Sequence, residues 1–376
     1  MIYNLLVACV DVAAVMKPYR RQITAATSTS LPQTGQMEPK KPTFVAMQRV
    51  GPFAQLPAIL AELGHAPAEL LRRVALEPAT LALESHLPFH QVMALLDACE
   101  RATGRADLGL LAGSRSDHQS LGLVGQAMTH ASTLGEAIQD YVGVQVGLSQ
   151  GAAVHLTQFG DCHAVGINIY DRHAAGSRQF YALAMAVMVN AVRGMNRGEV
   201  QPVEVHFSHR APADTGPYRR LLGARVLFDQ SQTCVVLPPG SLAVRNLRSD
   251  PMRRQQLITR VRRSMRLEAM PMSVRLRHVL RPLLTEGELS REAVAAHLGV
   301  HSRTLRRLLA REETSFAQER DRVRHTVACE LLAMTDLKIG EVALALGYVK
   351  HSAFDEAFRR WSGMTPSAWR DHDDRA

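Results

Sequence analysis

The feature that most constrains the fold is a phrase written twice. Val294–Glu312 reads VAAHLGVHSRTLRRLLARE, and Val342–Trp361 reads VALALGYVKHSAFDEAFRRW. Any fold for this region must give both stretches the same shape. In the first, the spacing predicts a helix capped by Ser290 with Val294, Ala295 and Leu298 on one face, ended by Gly299. Ser302 is then expected to cap a second helix whose inner face is Leu305, Leu308 and Leu309. The second copy repeats these parts with Ile339, Val342, Ala343 and Leu346, then Gly347, then Phe354, Ala357 and Phe358. Two short helices joined by a tight glycine-containing turn form a helix-turn-helix, and the chain carries two.

The face left outward in the first copy holds His301, Ser302, Arg303, Arg306, Arg307 and Arg311. An arginine fork matches O6 and N7 of guanine, and a recognition helix presents its N-terminal residues to major-groove base edges. Charge agrees with this assignment. From Pro251 onward there are 23 Lys and Arg against 16 Asp and Glu, a net of +7, which leaves +2 for the preceding residues of a chain at +9. A basic segment beside a nearly neutral one points to a polyanion, here double-stranded DNA. Between the copies, SFAQERDRVRHTVACELLAM predicts a connecting helix with Phe316, Val323, Val327, Leu331 and Leu332 inward. About 19 residues at 1.5 Å each span roughly 28 Å, close to the ~34 Å of one DNA turn. One chain can therefore set two readers into successive grooves, which implies an asymmetric site.

At 376 residues the chain has room for two domains, and 46% hydrophobic with 21% charged residues is an ordinary globular composition. Residues 1–46 are expected to be a disordered extension. MIYNLLVACVDVAAVM is broken by Asp11 and precedes its basic residues, which is the reverse of a secretory signal, and no apolar run reaches membrane-span length. LPQTG at Leu31–Gly35 matches a sorting pattern but lies at the wrong end of the chain, and the segment around it is too polar to bury. The cysteines, Cys9, Cys99, Cys162, Cys234 and Cys329, are odd in number and lack CxxC spacing. Neither a disulfide framework nor a zinc site is indicated, in keeping with a reducing cytoplasm.

Residues 47–245 are expected to form an α+β domain, with helices leading and a small antiparallel sheet behind. Helical spacing recurs in FAQLPAILAELGH, PFHQVMALLDACERATG, SLGLVGQAMTHAS and TLGEAIQDYVGVQVGLS, the last capped by Thr133 with Glu136 three residues on. AAVHLTQFG and CHAVGINIY alternate around Gly160–Asp161 and predict a hairpin. SRQFYALAMAVMVNAVRGM predicts a long helix, and strands return at VEVHFSH and RVLFDQSQTCVVLP. No catalytic constellation emerges. Cys162 and His163 are strand neighbours on opposite faces, and His155, His206 and His209 lack ligand spacing. A small molecule bound here would be held and not transformed, so no enzyme, metal or cofactor is expected. The stripe from Phe180 could line such a site, with ordinary core as the alternative. Residues 246–270 are expected to be a linker with a helix of its own, and 271–376 an all-α domain with motifs at 290–312 and 339–362.

The C-terminal stretch IGEVALALGYVKHSAFDEAFRRWSGMTPSAWR, Ile339–Arg370, resembles the DNA-binding domain of the AraC/XylS family of bacterial transcription regulators. It carries the apolar residue, the Val-Ala pair, Leu-Gly-Tyr, Phe-x-x-x-Phe-x-Arg, Gly-x-Thr-Pro and the closing Arg of that family, with similarity extending upstream to about Ser273. GLVGQAMTHASTLGEAIQDY and VEVHFSHRAPADTGPYRRLLGARVLFDQSQTCVVLPPG resemble the arabinose-binding-type effector domain of one branch, which does not make arabinose the ligand. The resemblance implies a cytoplasmic regulator, an activator that engages RNA polymerase, with an unidentified small-molecule effector and possible homodimers. It also maps a second reading face onto His351, Ser352, Asp355, Glu356 and Arg359. Here the sequence departs from the pattern, because two acids face a phosphate-lined groove unless each accepts from a cytosine amine. The first motif is therefore expected to carry most of the specificity. Two rivals remain: a constitutive or architectural DNA binder whose first domain only dimerises, and a DNA-repair alkyl transferase, which would need an activated cysteine.

Overall fold

The computed structural model describes residues 45–159, 161–170, 175–264, 270–286, 290–298, 300–335 and 337–373. The expected extension falls almost wholly outside them, as do Gly160 and Gly299. The first element of the described residues is strand β1 (Met47–Arg49), which sequence periodicity did not reveal, followed by a 3-10 turn and α1 (Leu56–Glu62), α2 (Pro67–Arg73) and β2 (His86–Pro88). β1 and β2 pair antiparallel through Gln48 and Leu87, and Gln48 also bridges to Ser149. Next come α3 (Phe89–Thr103), α4 (Leu108–Ser114), α5 (Leu123–Thr129) and α6 (Leu134–Val144). Gly104, at φ 65°, ends α3 in the left-handed conformation that glycine adopts without strain. Thr133 caps α6, its hydroxyl accepting from Glu136 N–H at 3.1 Å.

Strands β3 (Ala152–Phe159) and β4 (Cys162–Ile169) form the anticipated hairpin, in register from Ala152–Ile169 to Phe159–Cys162. Then follow α7 (Ser177–Met195), β5 (Glu204–His206), α8 (Gly216–Leu222), β6 (Arg225–Leu227) and β7 (Thr233–Leu237). The sheet order is β3-β4-β7-β5-β6, antiparallel except for the β5–β6 ladder. That pair is parallel because the chain between them crosses over through α8, which a tight turn could not do. α7 is the axle of the domain, with Phe180, Leu183, Val187 and Met188 among its many buried residues. Its close approach to α4 depends on glycine: a Cβ on Gly109 would meet the Gln179 carbonyl oxygen at 2.0 Å.

α9 (Pro251–Ser264), expected in a linker, is docked. Leu257 and Ile258 pack on Ala127, Val261 joins the main core, and Arg254 forks onto Asp140 at 2.6 and 2.8 Å. The remaining chain is helical: α10 (Met272–Glu286), α11 (Arg291–His297), α12 (Ser302–Arg311), α13 (Phe316–Met334), α14 (Ile339–Ala345), α15 (His351–Ser362) and α16 (Pro366–Asp373). It holds two separate small cores, one of Leu276, Leu280, Val294, Leu305 and Leu309, the other of Leu332, Val342, Leu346, Phe354 and Phe358. Val327 of α13 packs against both. Among the described residues, no helix is long and apolar enough to cross a membrane.

Candidate nucleic-acid interface and effector cavity

The first reader is built from α11 and α12. Ser290 caps α11, its hydroxyl accepting from Ala293 N–H at 3.1 Å, and Val294 and Ala295 are fully buried under α12. The cap of α12 differs from expectation. His301, extended at ψ 147°, occupies the N-cap without a side-chain bond, and Ser302 is already the first helical residue. Leu305 and Leu309 turn inward and Leu308 lies at the margin of the core. With those positions fixed inward, His301, Arg303, Arg306, Arg307 and Arg311 are exposed and Ser302 is half-buried. Among the described residues, none of the four arginines has an ion pair or hydrogen bond, so their charge is open to an external anion.

The second reader, α14 and α15, reproduces the scaffold with different chemistry outside. Glu341 accepts from the Lys338 N–H at 2.7 Å to start α14, and Gly347, at φ 78°, makes the turn. Phe354, Ala357 and Phe358 are buried, leaving His351, Ser352, Glu356 and Arg359 exposed and Asp355 half-exposed. His351 Nδ1 lies 3.2 Å from Asp355 Oδ2 one turn on, which occupies both groups with each other. Arg360 reaches back to Asp321 on α13 at 3.1 Å, whereas Arg359 has no partner among the described residues. The closing Arg370 has a structural task, donating to the Leu332 and Leu337 carbonyls at 3.0 and 2.8 Å. It thereby satisfies backbone acceptors at and beyond the C-terminal end of α13, where helical bonds run out.

The stripe from Phe180 lines a cavity of about 80 Å³ inside the first domain, together with Met128, Ile138, Val165, Ile167 and Met195. Its wall is mostly apolar, and Gln48, Gln145 and Ser149 adjoin within it: Gln48 bridges to Ser149, whose N–H donates to the Gln145 carbonyl. The side-chain oxygens of all three are buried without a hydrogen-bond partner. Buried polar atoms in folded proteins are nearly always paired, so three orphans around one cavity mark a place where a guest could complete them. Tyr141 also lines the wall, and burial pushes its hydroxyl pKa up to about 12. Arg49 is the one ionised group there, and it is already engaged: Nη2 donates to Glu84 Oε1 at 2.7 Å and Nη1 to the Ser120 carbonyl.

The cavity wall touches the helical half. Gln145 Nε2 donates to His278 Nδ1 on α10 at 3.4 Å, and the Tyr170 ring stands edge-on to the same imidazole at 4.8 Å. Burial, aided by Arg277, pulls the His278 pKa down to about 3, so the ring is neutral and can accept. A second tie joins the Tyr181 hydroxyl to Glu330 of α13.

Comparison with known proteins matches residues 64–246 to the arabinose-binding domain found at the N-terminus of AraC transcription regulators. Residues 294–372 match a helix-turn-helix domain that spans both readers. The chain belongs to the AraC/XylS family. It is a DNA-binding helix-turn-helix transcription regulator. AraC/XylS relatives agree across most of its length. The regulator VirS of Mycobacterium tuberculosis is 28% identical over 83% of this chain and 93% of its own. The ornithine utilization regulator of Pseudomonas aeruginosa is 27% identical over the same shares. The crystal structure of the regulator CdpR from Pseudomonas aeruginosa is 25% identical, covering 85% of this chain and 97% of that one, with a TM-score of 0.42. The AraC/XylS resemblance did not extend to the polar part of the cavity wall. Gln145 and Ser149 are neighbours in sequence, but Gln48 lies far ahead of them, and no spacing rule joins it to the pair.

Proposed function

We propose that this regulator is an effector-responsive activator in the bacterial cytoplasm. Arg303, Arg306 and Arg307 read base edges, with His301 and Ser302 at the start of the same helix, and Arg311 holds phosphate. α15 docks through His351, Ser352, Asp355, Glu356 and Arg359 with little base readout, and RNA polymerase is the protein partner. The observation that carries effector response is the cavity, most of whose lining falls within the residues matched to the arabinose-binding domain and which three residues with unpaired buried oxygens line. The activator role rests on the family resemblance. An alkyl-transferase reading is disfavoured because burial pushes the Cys99 and Cys234 thiols up to about 12, away from the reactive thiolate.

Selection of genomic fragments by the purified full-length protein, with and without a metabolite extract, tests both halves. The expected result is an asymmetric motif whose occupancy changes with extract, and an extract-induced rise in melting temperature. A motif indifferent to every extract, with no rise in Tm, would support the constitutive binder whose first domain only dimerises.

A further inference from the structure

The cavity also constrains the chemistry of what enters it. Its ionised wall group, Arg49, has Nε, Nη1 and Nη2 each committed to Glu84 or the Ser120 carbonyl. A Cβ on Gly122 would meet Arg49 Nη2 at 2.7 Å, so glycine there lets the guanidinium stay seated. A carboxylate or ammonium guest would therefore be desolvated without a free counter-charge. A sugar fares little better, since most of its hydroxyls would face Phe180, Val187 and Ile167 with no partner. A guest with one hydrogen-bonding end fits, because the residues with unpaired oxygens, Gln48, Gln145 and Ser149, adjoin one another in the wall. Size points the same way: an apolar cavity of roughly 150 Å³ admits benzene, and this one is about 80 Å³. Met128, Met188 and Met195 stand in its wall, and unbranched thioether side chains adapt their packing to a guest.

We propose that the cavity binds a compact, uncharged, largely apolar molecule with its donor group among Gln48, Gln145 and Ser149, and that the DNA-binding half senses the guest through the Gln145–His278 hydrogen bond. This rests on the effector reading above and narrows it. Gln145 links the two: it lines the cavity with its Oε1 buried and unpaired, while its Nε2 holds α10. A guest that bonds Oε1 changes how the amide sits, and α10 packs directly on the first reader's core through Leu276 and Leu280.

The test uses the full-length protein and a matched series: phenol, toluene, benzoate, benzylammonium and L-arabinose. Binding is read by calorimetry and Tm, and affinity for a selected DNA fragment by fluorescence anisotropy. Phenol is expected to bind, to bind at least about tenfold more tightly than the charged probes, and to shift DNA affinity. Gln145→Leu should weaken phenol about tenfold and abolish the shift. Ser149→Ala, which leaves the His278 bond intact, should weaken phenol yet preserve the shift, and it carries the test if the leucine variant fails to fold. Tighter binding of benzoate, benzylammonium or L-arabinose would overturn the ligand class, and toluene matching phenol would overturn the polar patch. Phenol binding with unchanged DNA affinity would overturn the relay. If no probe binds, the proposal fails. An extract that still raises Tm would then leave the effector reading standing, and one that does not would remove both.

Discussion

α12 and α15 share a scaffold and differ in what the scaffold displays. Each is the second helix of its motif, packed by apolar residues one turn apart, Leu305 and Leu309 in one, Phe354 and Phe358 in the other. Outside, α12 offers four exposed arginines without partners among the described residues. α15 offers a His351–Asp355 pair, an exposed Glu356 and an Arg360 already tied to Asp321. The physics that makes the fold acts on the inward positions and leaves the outward ones free to diverge. A repeated fold therefore does not entail a repeated function.

The largest effect should come from the shared part. Phe358 is fully buried and lies against Phe354, Trp361 and Trp369. Phe358→Ala is expected to cost about 3–5 kcal/mol, and Leu309→Ala in the first motif about 2–5 kcal/mol, both measured by urea denaturation. Comparable losses would show that the two cores matter equally for folding, whatever their surfaces do. The surfaces should then separate them. Arg306→Ala is expected to cost about 1–3 kcal/mol at a specific site and to relax selectivity there. Glu356→Ala on α15 should cost no specific affinity. Equal losses in competition binding would refute the division of labour.

Acid should act on the first motif's side through His278. Its folded pKa is depressed, so the unfolded chain takes up the proton first, and stability complete above about pH 6.5 declines as pH falls toward 3. At pH 5 the loss is about 2 kcal/mol. His278→Gln should remove that share of the difference between denaturation curves at pH 7 and pH 5. A variant curve as steep in pH as the wild type would exclude this imidazole as the cause. His209, whose pKa burial lowers to about 4, adds a separate contribution of the same sign that the variant leaves intact.

How much of this was legible beforehand follows from how local each feature is. The two motifs, the 19-residue helix between them and the hairpin Ala152–Ile169 are written in runs of periodic residues, and the chain folds them as read. β1 and β2 escaped because three residues carry no period, and they are strands only through each other and Ser149. Ser302 looked like a cap because of its residue type, but backbone conformation puts His301 at that place. The cavity's polar patch was invisible for a different reason. Gln48, Gln145 and Ser149 are ordinary polar residues until the fold removes water and withholds partners. Sequence also shows acids on α15 without showing that His351 engages Asp355.

Arg311→Ala probes the edge of α12. Exposed and unpaired among the described residues, Arg311 lies at the last turn of the helix, away from the N-terminal residues assigned to bases. Its loss should weaken all DNA sequences about equally and flatten the slope of log affinity against log salt by about one unit. A sequence-dependent loss would reassign it to base reading.

The smallest effect, and the one that most sharpens the comparison, is expected from Asp355→Ala. Asp355 is half-exposed and 3.2 Å from His351, so removing it deletes a solvent-screened pair worth less than about 1 kcal/mol to stability. Its effect on DNA is a matter of sign. If α15 only rests on the duplex, deleting a negative charge from a phosphate-facing helix and freeing His351 should tighten binding to every sequence and blur selectivity slightly. If Asp355 accepts from a cytosine amine, the variant should instead lose affinity at one position of the site and nowhere else. Anisotropy titrations against the selected motif and a set of single-base variants distinguish the two. The first outcome keeps α12 as the principal reader, and the second makes α15 a reader in its own right, with chemistry opposite to that of α12.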